Sequence, residues 1–408
     1  MNRAAAVTGI GLISPAGRGI DDSLARILSG RSVASFDQKL ADLPVRISCQ
    51  APDTDLAEFG IENAWQWDRY SQFAAVAAAD ALADAGLRPH MWADESRVAV
   101  VIGSGAGGTA TLEEQHAALL EDGPNGVSSS TLPMGLLNMA AGKVAMYAGA
   151  RGPCFAPCSA CASGASAIGI GRELIRSGVA DIVIAGGAEA PITPLYVSAF
   201  ARMRTLSRCV DPDTASRPFD ANRDGFVIGE GAGILVLESV EHAMARGARV
   251  RSLLIGYGAS ADAHHVTNPH PDGRGAKLAM QGALRDAGIS AGSVNYINAH
   301  GTSTIGNDVI EAAAIHSVFG EKVAVSSTKG VTGHLLGAAG AIEAAFTALT
   351  IQHGVIPPTA NLKKPDSSIS IDLVRGEARS SRVQYALSNS FGFGGQNVSL
   401  LFAEHATL

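Results

Sequence analysis

The chain has 408 residues, 47% of them apolar and only 17% charged, so it can bury a large core as two or three domains or as one large α/β unit. A formal net charge of −7 argues against nucleic acid as a general partner, and no apolar run reaches the roughly 18 residues of a helical membrane span. Five cysteines, an odd number, behind an N-terminal stretch without a leader-like apolar core predict free thiols in a reducing cytoplasm.

In chain order, AAAVTGIGLI (Ala4–Ile13) reads as a buried strand. ALADAGL (Ala81–Leu87) predicts a helix end with a glycine stop, and VAVVIGSG (Val98–Gly105) a buried strand breaking into a glycine-rich turn. That turn, GSGAGG (Gly103–Gly108), follows a strand as a dinucleotide loop does. It lacks the fingerprint spacing and an acidic residue closing a βαβ unit about 20 positions on, so a tight turn over a substrate pocket is expected instead.

GPCFAPCSACASG (Gly152–Gly164) places Cys154, Cys158 and Cys161 at C-x3-C-x2-C. Three chemistries fit such a run: an iron–sulfur cluster, a Cys158/Cys161 redox pair, or a single nucleophile. The run lies mid-chain and Cys161 enters a predicted helix, SGASAIGIGRELIRSG, which suits the cluster poorly; zinc would need a second paired-ligand motif. A thiol at a helix N-terminus is favoured as thiolate, so Cys161 is expected to have a lowered pKa, with small neighbours that leave room for a bulky thioester. DIVIAGGAEA (Asp181–Ala190) then reads as another strand ending in a turn.

From VRSLLIGYGAS (Val250–Ser260) the pattern restarts. ALRDAGI and VNYINAHG echo the first helix stop and strand, GAAGAIEAAFTALTIQHG echoes the helix after the cysteines, and YALSNSFGFGGQN echoes DIVIAGGAEA. Two α/β halves follow, residues 1–250 and 251–408, packed as one body with the active site between them. DAHHVTNPHPDG carries His264, His265 and His270 in a turn-rich loop with no carboxylate or thiol motif to complete a metal site. In contrast, NAHGTST puts His300 at a strand end, and STKGVTGHLLGAAG puts His334 at the start of the helix that echoes the one after Cys161. One cysteine and two histidines at repeat-related ends form a constellation for acyl transfer with charge stabilisation.

VTGIGLISPAG, SACASG, ASRPFDANRDGFVIGEGAGILVLE, NAHGTST, STKGVTGHLLGAAGA, IPPTANL and NSFGFGGQN, in this order, resemble the β-ketoacyl-[acyl-carrier-protein] synthases of the synthase I/II group, including the ketosynthase subunits of type II polyketide systems. The resemblance implies an α/β, thiolase-like, five-layer α-β-α-β-α fold from two pseudo-repeated halves: an N-terminal half with the nucleophile and a C-terminal half with the histidine pair. It implies decarboxylative Claisen condensation of an acyl-enzyme with a malonyl-carrier thioester, in fatty acid or polyketide biosynthesis. No cofactor and no metal are implied. The implied partners are an acyl carrier protein, acyl and malonyl thioesters, and a second or homologous subunit.

Residue by residue, the resemblance makes Cys161 the nucleophile and His300 and His334 the pair that assists decarboxylation. It makes Lys329 a supporting lysine with Glu311 as its acidic partner. Phe393 becomes the gate, its N–H forming an oxyanion hole with that of Cys161, and the FGFGG loop becomes a lid. Thr302 and Thr304 fall near the malonyl arm, and Phe391 and Ala106 near substrate, Ala106 standing where larger side chains line the acyl channel and so implying a roomier pocket. His334 separates the chain from the Cys-His-Asn initiating synthases and from thiolases, and Cys161 separates it from chain-length-factor subunits, the alternative being a non-condensing partner. Ile305, Gly306 and Asn307 depart from the usual Pro-x-Gly before Asp308. Trp65, Gln66 and Trp67 replace a basic stretch, which leaves Arg69, Arg202, Arg204 and Arg208 to dock an acidic carrier.

Overall fold

The computed structural model describes residues 4–405. Strand β1 (Ala5–Ser14) is buried at every position, so both its faces must be covered by other elements. The remaining main strands are β2 (Val98–Gly103), β3 (Cys154–Phe155), β4 (Ile182–Glu189), β5 (Gly231–Ser239), β6 (Ser252–Ala261), β7 (Tyr296–Asn298), β8 (Ala324–Ser326), β9 (Asp372–Leu373), β10 (Tyr385–Gly392) and β11 (Gln396–Ala403). The helices that matter here are α1 (Arg69–Asp84), α2 (Met139–Ala148), α3 (Ser163–Arg176), α4 (Pro194–Arg202), α5 (Arg274–Ala287), α6 (Ile305–Phe319) and α7 (Ala339–His353).

The strands run in the order β9-β8-β7-β10-β11-β6-β1-β5-β4-β2-β3. Reading outward from the centre, β1-β5-β4-β2-β3 is matched by β6-β11-β10-β7-β8. The pairings match as well. β2 is parallel to β4 and β3, as β7 is to β10 and β8, while β4–β5 and β10–β11 are antiparallel. The halves join through antiparallel β1 and β6, with Ala5 opposite Leu254 and Val7 opposite Ser252.

Alternation along the strands builds the layers. On β2, Val98, Val100 and Ile102 face α1 and α2, whereas Ala99 and Val101 face the central core with α3 and α7. On β11, Val398, Leu400 and Phe402 face that same central core, while Leu401 and Ala403 face α5 and α6. Helix pair, sheet half, central helices, sheet half and helix pair make the five layers of the expected α/β fold. The central helix α7 is buried almost throughout, which explains a sequence with no polar stripe.

Small residues let the central helices touch. A methyl group on Gly164 of α3 would lie 2.9 Å from the Ala341 nitrogen of α7, and one on Gly340 would lie 3.0 Å from the Ala165 nitrogen. Gly164→Ala should therefore overpack this contact and destabilise the fold by about 1–3 kcal/mol. Thermal denaturation checks it, and an unchanged melting temperature would show that the crossing has slack.

Candidate active site

Cys161 lies in a single helical turn (Ala160–Ala162) that leads into α3. Ala160 has φ +50°, a left-handed conformation that L-residues avoid. Ser163 holds it there: its Oγ accepts from Ser159 N (2.9 Å) and donates to Ala160 O (2.7 Å). The C-terminal end of β10 abuts this turn at Gly392, where any Cβ would overlap Ser159 O. The backbone N–H groups of Cys161 and Phe393 are thereby both directed at the Cys161 sulfur.

The expected thiolate is not what the site holds at rest. Burial pushes the Cys161 thiol up to about 12, outweighing Lys329 and the two backbone N–H groups that favour ionisation. The helix proper starts two residues beyond the cysteine, and loss of hydration in a closed site is the larger effect.

His300 follows β7, and His334 follows a short turn at Lys329–Thr332. Their ring centroids are 5.3 Å apart and the rings nearly perpendicular, at 83°. Lys329 Nζ lies 3.4 Å from His300 Nδ1. An ammonium only donates, so Nδ1 is the acceptor and the ring's N–H is on Nε2. Burial, then the Lys329 charge, holds both imidazoles well below their ordinary 6.5, so both are neutral. His334 Nδ1 is buried without a hydrogen-bond partner.

Lys329 does not pair with Glu311 as the resemblance implied. Its ion pair is with Glu343 of α7, both side chains being buried. Glu311 on α6 instead accepts the backbone N–H groups of His300 (2.8 Å) and Gly301 (2.7 Å), fixing the loop that carries the histidine. Glu343 was legible only as a lone acid in the alanine-rich GAIEAAF, whose burial demands a cation.

One cavity of about 330 Å³ brings Cys161, His300, His334, Thr302, Thr304, Phe391 and Phe393 together. The two threonine hydroxyls are 2.8 Å apart. Phe200 of α4 packs against Phe393, with centroids 6.3 Å apart, and Phe226 stands edge-on to His334 at 5.2 Å; sequence reading missed both. Asn307, at the departure from the family pattern, also lines the cavity and donates through Nδ2 to Asp308 (3.2 Å) and Glu311 (3.3 Å).

Ala106 does not line this cavity. It sits in the Gly103–Gly108 turn, where its N–H donates to Glu189 (3.0 Å) and the neighbouring Gly105 approaches the Ala160 carbonyl of the Cys161 turn. Arg69 is tied to Glu230 and Asp53, which removes it from the docking candidates. Arg202, Arg204 and Arg208 are exposed, and Arg204 reaches the cavity wall. Trp65 is 71% exposed, while Trp67 lies beneath the Lys143 ammonium at 4.5 Å.

Cys154 and Cys158 are exposed whereas Cys161 is buried, and all five cysteines are free. Among the described residues no three His, Cys, Asp or Glu side chains gather as metal ligands would. His265 and His270 turn their Nδ1 atoms to neighbouring backbone N–H groups. No helix among the described residues is long and apolar enough to cross a membrane. A buried sulfur under two N–H donors, beside two neutral imidazoles, is equipped to take an acyl group and to stabilise an anionic oxygen.

Profiles of the beta-ketoacyl synthase N-terminal and C-terminal domains match residues 2–243 and 251–363. A 3-oxoacyl-[acyl-carrier-protein] synthase 2 of Rhizobium meliloti (strain 1021) is 45% identical over 99% of this chain and 99% of its own length. Among solved structures, the ishigamide ketosynthase/chain length factor aligns over 99% of this chain and 100% of its own, at 33% identity and a TM-score of 0.93. The type II polyketide ketosynthase AntDE, bound to the acyl-carrier protein AntF and a hexaketide, aligns over 99% of this chain and 100% of its own, at 34% identity and a TM-score of 0.91.

Neutral imidazoles give a direct expectation. Followed by NMR, both rings should stay neutral from about pH 8 down past about pH 6.5 and protonate only below it. Titration at the ordinary histidine value would mean that the site is wetter than its burial indicates.

Proposed function

Because the chain belongs to the beta-ketoacyl synthase family, we propose that it is a 3-oxoacyl-[acyl-carrier-protein] synthase of the Cys-His-His type, acting in fatty acid or type II polyketide biosynthesis. The observation that carries this reading is the single cavity in which Cys161, with two backbone N–H groups at its sulfur, faces two neutral histidines.

In the first step Cys161 Sγ attacks the carbonyl of an acyl-carrier thioester. The carbonyl oxygen takes the developing charge and lies against the N–H groups of Cys161 and Phe393, each worth about 3 kcal/mol by analogy with oxyanion holes. The carrier sulfur leaves with the bonding pair, and the thiol proton ends on it. The high resting pKa of Cys161 makes that proton loss part of the acylation step rather than a preliminary to it.

In the second step a malonyl-carrier thioester enters past Thr302 and Thr304. Its C–C bond to the carboxylate breaks, CO2 departs, and the electron pair moves through the α-carbon onto the thioester oxygen. Imidazole N–H groups of His300 and His334 stabilise the resulting enolate. Neutrality matters, since a charged imidazole would hold the departing carboxylate in place. In the third step the enolate carbon attacks the acyl-Cys161 carbonyl, the C–S bond breaks with its electron pair going to Sγ, which takes up a proton from solvent to restore the thiol, and the 3-oxoacyl chain leaves on the carrier. Phe393, packed on Phe200, shields the acyl-enzyme from water.

The exposed Arg202, Arg204 and Arg208, of which Arg204 lines the cavity, supply a positive surface for an acidic carrier protein. The edge strand β3, with Phe155 40% exposed, and the exposed Leu112, Leu132 and Leu136 form an apolar face suited to a second copy or a homologous subunit. Five free thiols are in keeping with a reducing cytoplasm.

Cys161→Ala should abolish self-acylation and condensation, while Cys161→Gln keeps malonyl decarboxylation. His300→Ala and His334→Ala should spare self-acylation and cut decarboxylation by about 100-fold or more. Mass spectrometry of the acyl-enzyme and CO2 release separate the steps. Condensation by the Cys161→Ala protein would overturn the assignment, and a wild-type chain that takes no acyl group would mark a non-condensing partner subunit.

A further inference from the structure

The pseudo-repeat gives the Cys161 turn an image in the second half. Leu336–Ala338 forms the same single helical turn before α7 that Ala160–Ala162 forms before α3, and Leu336 has φ +45° where Ala160 has +50°. Gly337 is thus the image of Cys161, and the end of β4 at Glu189 is the image of the end of β10 at Gly392. In the first half the Cys161 N–H is one of the two donors to which the reaction proposed above gives the oxyanion. In the second half the Gly337 N–H donates to Glu189 Oε2 at 2.8 Å.

Glu189 is wholly buried and fills that image site. Oε2 also accepts Gly105 N (2.7 Å), and Oε1 accepts Ser104 Oγ (2.7 Å) and Ala106 N (3.0 Å). Ser104 Oγ in turn accepts Gly107 N at 3.0 Å, so its own proton is the one given to Glu189. All four partners donate to Glu189; burial pushes its carboxyl up, and these four hydrogen bonds oppose that shift by favouring the carboxylate.

We propose that Glu189 is a positioning residue for His334: its carboxylate clamps the Gly337 turn to the Gly103–Gly108 loop and so fixes the histidine three residues before Gly337. His334 needs such support. Its Nδ1 has no partner, so its ring is oriented by packing on Phe226 and His300 and by its backbone, whose N–H donates to Val227 O (2.8 Å) and whose carbonyl accepts Gly229 N (2.9 Å). His300, by contrast, has Lys329 at its ring and Glu311 at its backbone. Glu189 does for the His334 segment what Glu311 does for the His300 loop. The Cys161 turn also lies against the gripped loop, at Gly103 and Gly105, but it has ties of its own in the Ser163 hydroxyl and the close approach of Gly392.

The inference rests on the condensing reaction proposed above, and the two can fail separately. In Glu189→Gln the shape is kept, but an amide NH2 must face N–H donors and the clamp opens. Decarboxylation of malonyl-carrier protein should fall by about 100-fold in kcat, with KM changed little and self-acylation of Cys161 not slowed, since the Glu189 charge is one of the influences that raise the thiol. Sodium formate, set against sodium chloride at equal ionic strength, should restore decarboxylation saturably in Glu189→Ala by occupying the vacated donors. Wild-type decarboxylation, or equal loss of both steps at an unchanged melting temperature, in Glu189→Gln overturns the proposal. If Glu189→Gln does not fold, Ser104→Ala decides: a kcat loss confined to decarboxylation supports the clamp, and equal or absent effects on the two steps overturn it. A wild-type protein inactive in both steps refutes the condensing reading instead.

Discussion

Where Gly164 meets Ala341 and Gly340 meets Ala165, the two central helices run so close that no side chain separates them. Each helix is entered through a turn, one bearing Cys161 and the other following His334. Contact between the helices therefore brings a nucleophile from the first half within reach of a histidine from the second. The geometry of the cavity and the burial of its reacting groups have one cause, the replacement of side chains by hydrogen atoms at the centre of a duplicated fold.

Burial then sets the charge state of each reacting group. The same burial that keeps His300 and His334 neutral raises the Cys161 thiol. The first effect serves the proposed chemistry, because only neutral rings donate without capturing carboxylate. The second opposes it, and is offset where the charge forms, by two N–H groups at the sulfur and by Lys329. Lys329 would itself be prohibitively costly in such a place without Glu343, since an unpaired buried ammonium loses several kcal/mol of hydration. The Lys329–Glu343 pair thus lets a positive charge stand behind His300 in a site that otherwise excludes charge.

The duplication was readable from sequence because each half repeats helix stop, apolar strand and glycine turn at matching places, and the strand order bears the same symmetry. Cys161, His300 and His334 were readable because strand ends and helix starts on one side of a sheet converge. The thiol's ionisation was not: a local rule about helix N-termini was outweighed by burial, which is a sum over distant segments. The partner of Lys329 was hidden for a similar reason. Glu311 and Glu343 are both acids in helices, and only the packing of α7 against the Lys329 turn distinguishes them. That Glu189 grips the Gly103–Gly108 turn was hidden too, because the contacting residues lie 83 to 85 positions apart in the chain.

Both halves keep the strained entry turn, although only one of them presents a side chain with chemistry to do. A left-handed alanine or leucine costs on the order of 1 kcal/mol, and a turn without a function would be expected to relax. At Ala160 the strain is held by Ser163 and aims a thiol. At Leu336 it turns the next N–H, that of Gly337, toward a carboxylate that already has three other donors. Anion recognition by backbone amides is thus the shared property of the two turns. In one it is left open for a transient oxyanion, and in the other it is permanently satisfied by the chain itself.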